Sequence, residues 1–156
     1  LTYDEAVLSV TETNLRQRSF GDMSHYERAY CLAQHYEALK SQGRRNDLLD
    51  EIEMLLNPHE SRENPTSSEV QTKLRSDTKI GQEYGLSRDK VAKYIRISKL
   101  IEPLIGKVDT GEIPFLAAYD LSFIEDGDRQ RQIAGLMESD NYRVDMKKAE
   151  FLRSYY

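Results

Sequence analysis

Apolar residues recur along this chain at spacings of three and four, and runs that alternate strictly between apolar and polar are missing. That period belongs to the 3.6-residue helix and not to the two-residue strand, so the expected fold is all-α, a multi-helix, bundle-like domain. The first strong helix opens at "SHYE", where Ser24 can cap it and Glu27 completes a capping box. Tyr26, Ala29, Tyr30, Ala33, Tyr36 and Leu39 then form a stripe at helical spacing, read as buried core, before Gly43 ends the helix.

A second amphipathic helix is expected over 46–56, and "NPHESRENPTS" (57–67), with two prolines and no apolar anchor, reads as a linker. Thr66 or Ser67 can cap a helix running to Leu74, and Ser76 the next one, which Gly85 closes. Further on, Pro103 suits a first helical turn, Gly111 a helix end, and Pro114 the start of "PFLAAYDLSFI". Asp128 and Asp145 are the expected caps of the last two helices.

Within this series, residues 77–99 have the spacing of a helix-turn-helix. Such a motif needs a residue that tolerates positive φ at the turn, and Gly85 supplies it. It needs a small residue where the two helices approach, which Gly81 provides, and a packed apolar face, here Ile80, Tyr84, Leu86, Val91 and Tyr94. Ser87 then caps the second helix, leaving Ser87, Arg88, Asp89, Ala92, Lys93 and Arg96 as the expected exposed positions. The start of such a helix enters the major groove, so Arg88 is the candidate for a bidentate contact to guanine, and Lys93 and Arg96 for bases or phosphates. Ser87 at the helix N-terminus suits a phosphate, and Asp89 either a cytosine amino group or the orientation of Arg88.

Charge changes this picture only once it is resolved by position. The 156-residue chain carries a formal net charge of -5, unfavourable for a DNA binder taken whole. Residues 71–100, however, hold eight basic side chains against three acidic, a net +5, while 1–43, 44–70 and 101–156 carry -2, -4 and -4. With charges screened beyond about 8 Å at physiological salt, the local island governs contact. Lys73, Arg75 and Lys79 fall in it and are expected to touch the phosphate backbone. The acidic remainder weakens general affinity and favours a selective, salt-sensitive binder.

Little else carries chemistry. Cys31, alone of its kind, excludes an internal disulfide; with His35 four residues on it forms half of a metal site at most, and no metal is expected. No phosphate loop, nucleophile elbow or ligand cluster is present, so an enzyme is not expected. No apolar run is long enough to span a membrane and no leader opens the chain, so a cytoplasmic location is expected. The first residue is Leu1, the expectation being a piece of a longer protein.

Three stretches together resemble the ParB family of partition proteins. "AVLSVTETNLRQRSF" (6–20) leading into "HYERAYCLAQHYEAL" is similar to the family's junction between nucleotide-binding and DNA-binding regions. "IGQEYGLSRDKVAKYIRISKLI" (80–101) is similar to its helix-turn-helix, and "IGKVDTGEIPFLAAYDLS" (105–122) to the helices that follow. The junction departs from the family in placing Thr13 where glutamate is common and Arg16–Gln17 in inverted order. The resemblance implies that residues 1–20 are the tail of a nucleotide-binding region, 21–124 a DNA-binding domain and 125–156 a C-terminal helical extension. It implies double-stranded DNA as partner, an inverted-repeat site with self-association on it, and a nucleoid- or plasmid-associated protein of chromosome or mobile-element partition. Asn14 and Arg16 would face the nucleotide site, with CTP belonging to a full-length parent and no cofactor to this piece. The competing reading is a helical protein-interaction module, or a transcriptional regulator using the same motif.

Overall fold

The computed structural model describes residues 2–3, 5–7, 9–10, 13, 19–41, 52–57 and 85–156. Among them every regular element is helical and no strand occurs. A short 3₁₀ turn at Phe20–Asp22 leads into α1 (His25–Ser41), and residues 52–56 are again helical. Then follow α2 (Arg88–Ile97), α3 (Glu102–Asp109), α4 (Phe115–Leu121), α5 (Gly127–Ser139) and α6 (Met146–Tyr155). The all-α expectation holds. Gly43, most of the 57–67 linker, the caps at Thr66, Ser67 and Ser76, and the first helix of the motif with Ile80, Gly81 and Tyr84 lie outside the described residues, as do Asn14 and Arg16.

The start of α1 shows how sequence and tertiary structure divide the capping of one helix. Four amides there have no intrahelical acceptor. Ser24 N–H donates to Glu27 Oε2 at 2.9 Å and Glu27 N–H to Ser24 Oγ at 3.1 Å, the reciprocal box read from the sequence. The two amides between them, of His25 and Tyr26, donate instead to the two carboxylate oxygens of Asp109, at the far end of α3. A negative charge at this helix end also complements the helix dipole.

The buried face of α1 is Ala29, Leu32, His35, Tyr36 and Ala38, which differs from the expected stripe. Tyr26 and Tyr30 are exposed, their rings stacked on each other 6.5 Å apart. The reason is that α1 packs on α2 and α3 together, so its buried arc is centred on Ala29, Leu32 and Tyr36; Tyr26 and Tyr30 fall beyond its edge. Cys31 is half-buried, and burial pushes its thiol up, as suits an inert side chain.

Later helices follow their expected signals closely. Pro103 lies in the first turn of α3, where its missing N–H costs nothing, and Gly111 adopts φ +80° just beyond that helix. Pro114 precedes α4, and Asp145 caps α6 by accepting from Lys148 N–H at 2.9 Å. Asp128 is not a cap. Helix α5 starts two residues earlier than a cap at Asp128 would set, at Gly127, so Asp126 holds the cap position and accepts the Asp128 amide at 2.8 Å.

One apolar cluster joins these helices, from Ala29 and Leu32 of α1 through Val91, Tyr94, Leu104 and Leu121 to Ile133, Met137, Val144 and Ala149. Helix α4 is its hub, packed against α2, α3 and α6, while α5 lies on α3. The core thus runs through residue 124 without a break, and burying each large aliphatic side chain contributes about 1.5–3 kcal/mol. Gln130 pins the junction of α3, α4 and α5. Fully buried, it accepts from Ile101 N–H at 2.8 Å and donates to the carbonyls of Ile124 at 2.8 Å and Lys99 at 3.3 Å.

Candidate nucleic-acid interface

The turn into α2 has the geometry its residues demand. Gly85 sits at φ +64°, in the left-handed region where a side chain is strained, and Ser87 is in extended backbone. Ser87 Oγ accepts from Lys90 N–H at 3.3 Å, capping a helix of ten residues, about 15 Å long. Gly85, Ser87, Asp89 and Lys90 are exposed and Arg88 is half-buried, so the first turn of α2 is the part that solvent and a ligand can reach.

Beyond that turn α2 closes on itself. Val91, Ala92, Tyr94, Ile95 and Ile97 are buried, because α2 lies between two neighbours, α1 on one side and α4 on the other. This corrects two positions. Ala92 and Arg96, expected on the exposed face, are only 2% and 3% exposed. The expectation allowed α2 one packed face where the fold gives it two.

Arg96 therefore cannot grip a groove from where it lies. Its guanidinium carbon is 4.3 Å from the centre of the Phe123 ring, and Nη2 reaches Glu125 Oε1 at 3.4 Å. Arg153 of α6 lies on the same ring, 3.8 Å away, and pairs with Asp120 at 2.8 Å. Two guanidinium groups on one aromatic ring thus tie α2 to α6 through the end of α4. Lys93 is intermediate. Its ammonium pairs with Asp89 at 2.6 Å, one helical turn back, and lies 5.7 Å over the Tyr119 ring. Asp89 is thereby engaged with Lys93, a partner the sequence reading did not assign to it. Lys90, not singled out from the sequence, is exposed with its ammonium 5.1 Å over Phe115. Lys73, Arg75 and Lys79 lie outside the described residues.

What holds the accessible turn in place is an anchor behind it. The Tyr94 ring is fully buried and packs edge-on against Phe115 at 4.8 Å and Phe20 at 6.2 Å. Its hydroxyl lies 3.0 Å from His25 Nδ1 and accepts from Arg28 Nη1 at 3.1 Å. Arg28 is itself fixed by the carbonyls of Phe20 and Gly21, at 3.0 and 2.6 Å. The pattern of apolar residues showed that Tyr94 is packed; nothing in it pointed to His25 or Arg28, which lie 69 and 66 residues away.

A separate polar cleft of about 310 Å³ lies between the Gly111 turn and the α5–α6 connection, lined by Glu112, Asn141 and Arg143 among others. Glu112 there is held below its ordinary range by hydrogen bonds from Thr110 and Lys107. Among the described residues no group of histidine, cysteine and carboxylate side chains is placed to hold a metal ion, and no helix is long and apolar enough to cross a membrane. Compared with known proteins, the chain matches no family model, no curated protein and no solved structure.

Proposed function

We propose that this chain binds double-stranded DNA sequence-specifically, presenting the first turn of α2 to the major groove, in the manner of the ParB-like proteins its sequence resembles. The observation that carries the reading is the junction at 85–90: a left-handed glycine, a serine cap, then an accessible helical turn bearing Arg88, Asp89 and Lys90 while the same helix is buried behind it. A reading head needs this combination of exposed polar edge and rigid backing. The net +5 of residues 71–100 supplies the local field, and the acidic remainder limits binding away from the preferred site.

Within this reading Ser87 holds a phosphate together with the α2 amides, Arg88 reads a base and Lys93 adds charge after exchanging Asp89 for DNA. Arg96 backs the helix and makes no contact. Lys73, Arg75 and Lys79 are assigned to the phosphate backbone on their charge and position in the sequence alone. A role in chromosome or mobile-element partition, on an inverted-repeat site and with self-association on it, belongs to the same proposal.

The test is selection from a random duplex library. One enriched motif is expected, and Arg88→Ala should weaken it by about 1–3 kcal/mol with relaxed preference at one position. Affinity should also fall steeply with added salt. Absence of enrichment, or an Arg88→Ala profile identical to wild type, would mean that α2 is scaffold, and a protein partner would take precedence.

A further inference from the structure

The hydroxyl of Tyr94 has a single proton, and its surroundings decide where that proton goes. Arg28 Nη1, 3.1 Å away, has only hydrogens to offer, so the hydroxyl oxygen accepts there. Among the described residues the remaining partner is His25 Nδ1 at 3.0 Å. In the buried setting of Tyr94 both contacts at its hydroxyl are satisfied in one arrangement: Arg28 donates to Tyr94, Tyr94 donates to Nδ1, and His25 is neutral with its proton on Nε2. Protonating His25 turns Nδ1 from acceptor to donor. The Tyr94 oxygen would then receive two donors and its own hydrogen would have no acceptor among the described residues, beside the Arg28 cation.

We propose that His25 is a positioning residue for the DNA-reading helix, acting through Tyr94 and only in its neutral form, so that acidification unseats α2 and weakens DNA binding. This rests on the reading of α2 as the DNA-contacting helix. The groups that face His25 on each packed element are Arg28 on α1, Tyr94 and Lys90 on α2, Asp109 on α3 and the uncharged Phe115 ring on α4. Burial, Arg28 and Lys90 oppose the imidazolium, Asp109 favours it, and the balance holds His25 below the ordinary histidine range.

The direction of the effect is diagnostic. A histidine that gained charge near DNA merely as another cation would strengthen binding at low pH. A latch that needs neutral imidazole weakens it. Because the folded-state value lies below the unfolded one, the His25 contribution is complete above about pH 6.5 and is lost as pH falls toward the lowered value.

The experiment compares wild type, His25→Asn and Tyr94→Phe between about pH 7.5 and 5.5. Asparagine places an amide oxygen near the position of Nδ1 and does not titrate, while phenylalanine removes the relayed proton. The first measurement is hydrogen exchange of the α2 amides without DNA, corrected for intrinsic rates. The second is affinity for the fluorescein-labelled duplex enriched in the selection. Wild type should lose roughly fivefold in α2 protection and in affinity on acidification, with His25→Asn flat in both. Tyr94→Phe should be weaker at the higher pH and also flat. Matching pH profiles for wild type and His25→Asn in α2 exchange overturn the latch. If no duplex enriches, the DNA reading fails, and the exchange profiles alone decide whether His25 seats α2.

Discussion

At the residue scale, the most consequential side chain outside the proposed interface is Gln130. It lies in the polar run "GDRQRQ", where nothing distinguishes it from its neighbours, yet it serves the backbone of both the α2–α3 and the α4–α5 connections. Gln130→Ala would leave the Ile101 amide and the Ile124 carbonyl unsatisfied in the core, costing about 2–4 kcal/mol in denaturant unfolding. Arg96 carries the opposite lesson. Its charge and spacing marked it as a surface contact, but Phe123 and Glu125, 27 and 29 positions on, capture it. Tyr26 and Tyr30 were misassigned in the other direction. Local spacing shows that a side chain belongs to a face; which faces are covered depends on distant partners.

At the element scale, helix ends were the most legible features, because caps and breakers act through bonds to residues one to four positions away. Ser24 with Glu27, Ser87, Asp145 and Gly111 all perform the tasks their types suggested. The exception, Asp126 in place of Asp128, arises where three carboxyl-bearing residues lie within four positions and any of them could cap. For the candidate site, the accessible turn at 85–90 was legible and its backing was not, since His25 and Arg28 reach Tyr94 from another helix, whose start Asp109 holds in turn. Gly85 allows a direct check on this turn. A β-carbon there would meet open space, so Gly85→Ala pays only for the left-handed backbone, about 1–2 kcal/mol. Gly85→Asn should cost less, because asparagine visits that region more readily. Thermal unfolding of the two variants would rank them.

At the scale of the whole molecule, the class of fold followed from the period of the sequence, but the arrangement of helices did not. Periodicity gives each helix a buried stripe; it does not say that α4 will be covered by α2, α3 and α6 at once. Since one apolar cluster extends from Ala29 to Ala149, the helices should unfold together. Far-ultraviolet circular dichroism and tyrosine fluorescence should give superimposable urea transitions, whereas a separately stable 125–156 segment would split them. The Asp109 carboxylate adds a temporal constraint. It completes the first turn of α1 from 84 positions downstream, so at about 5–20 residues per second of synthesis the His25 amide waits roughly 4–17 seconds for its acceptor to be made. During that interval the contacts among the described residues that define where α1 begins are local, the Ser24–Glu27 box and the hold of Arg28 on the Phe20 and Gly21 carbonyls, and a growing chain lacking them would present the ribosome's surroundings with a helix of unfixed start.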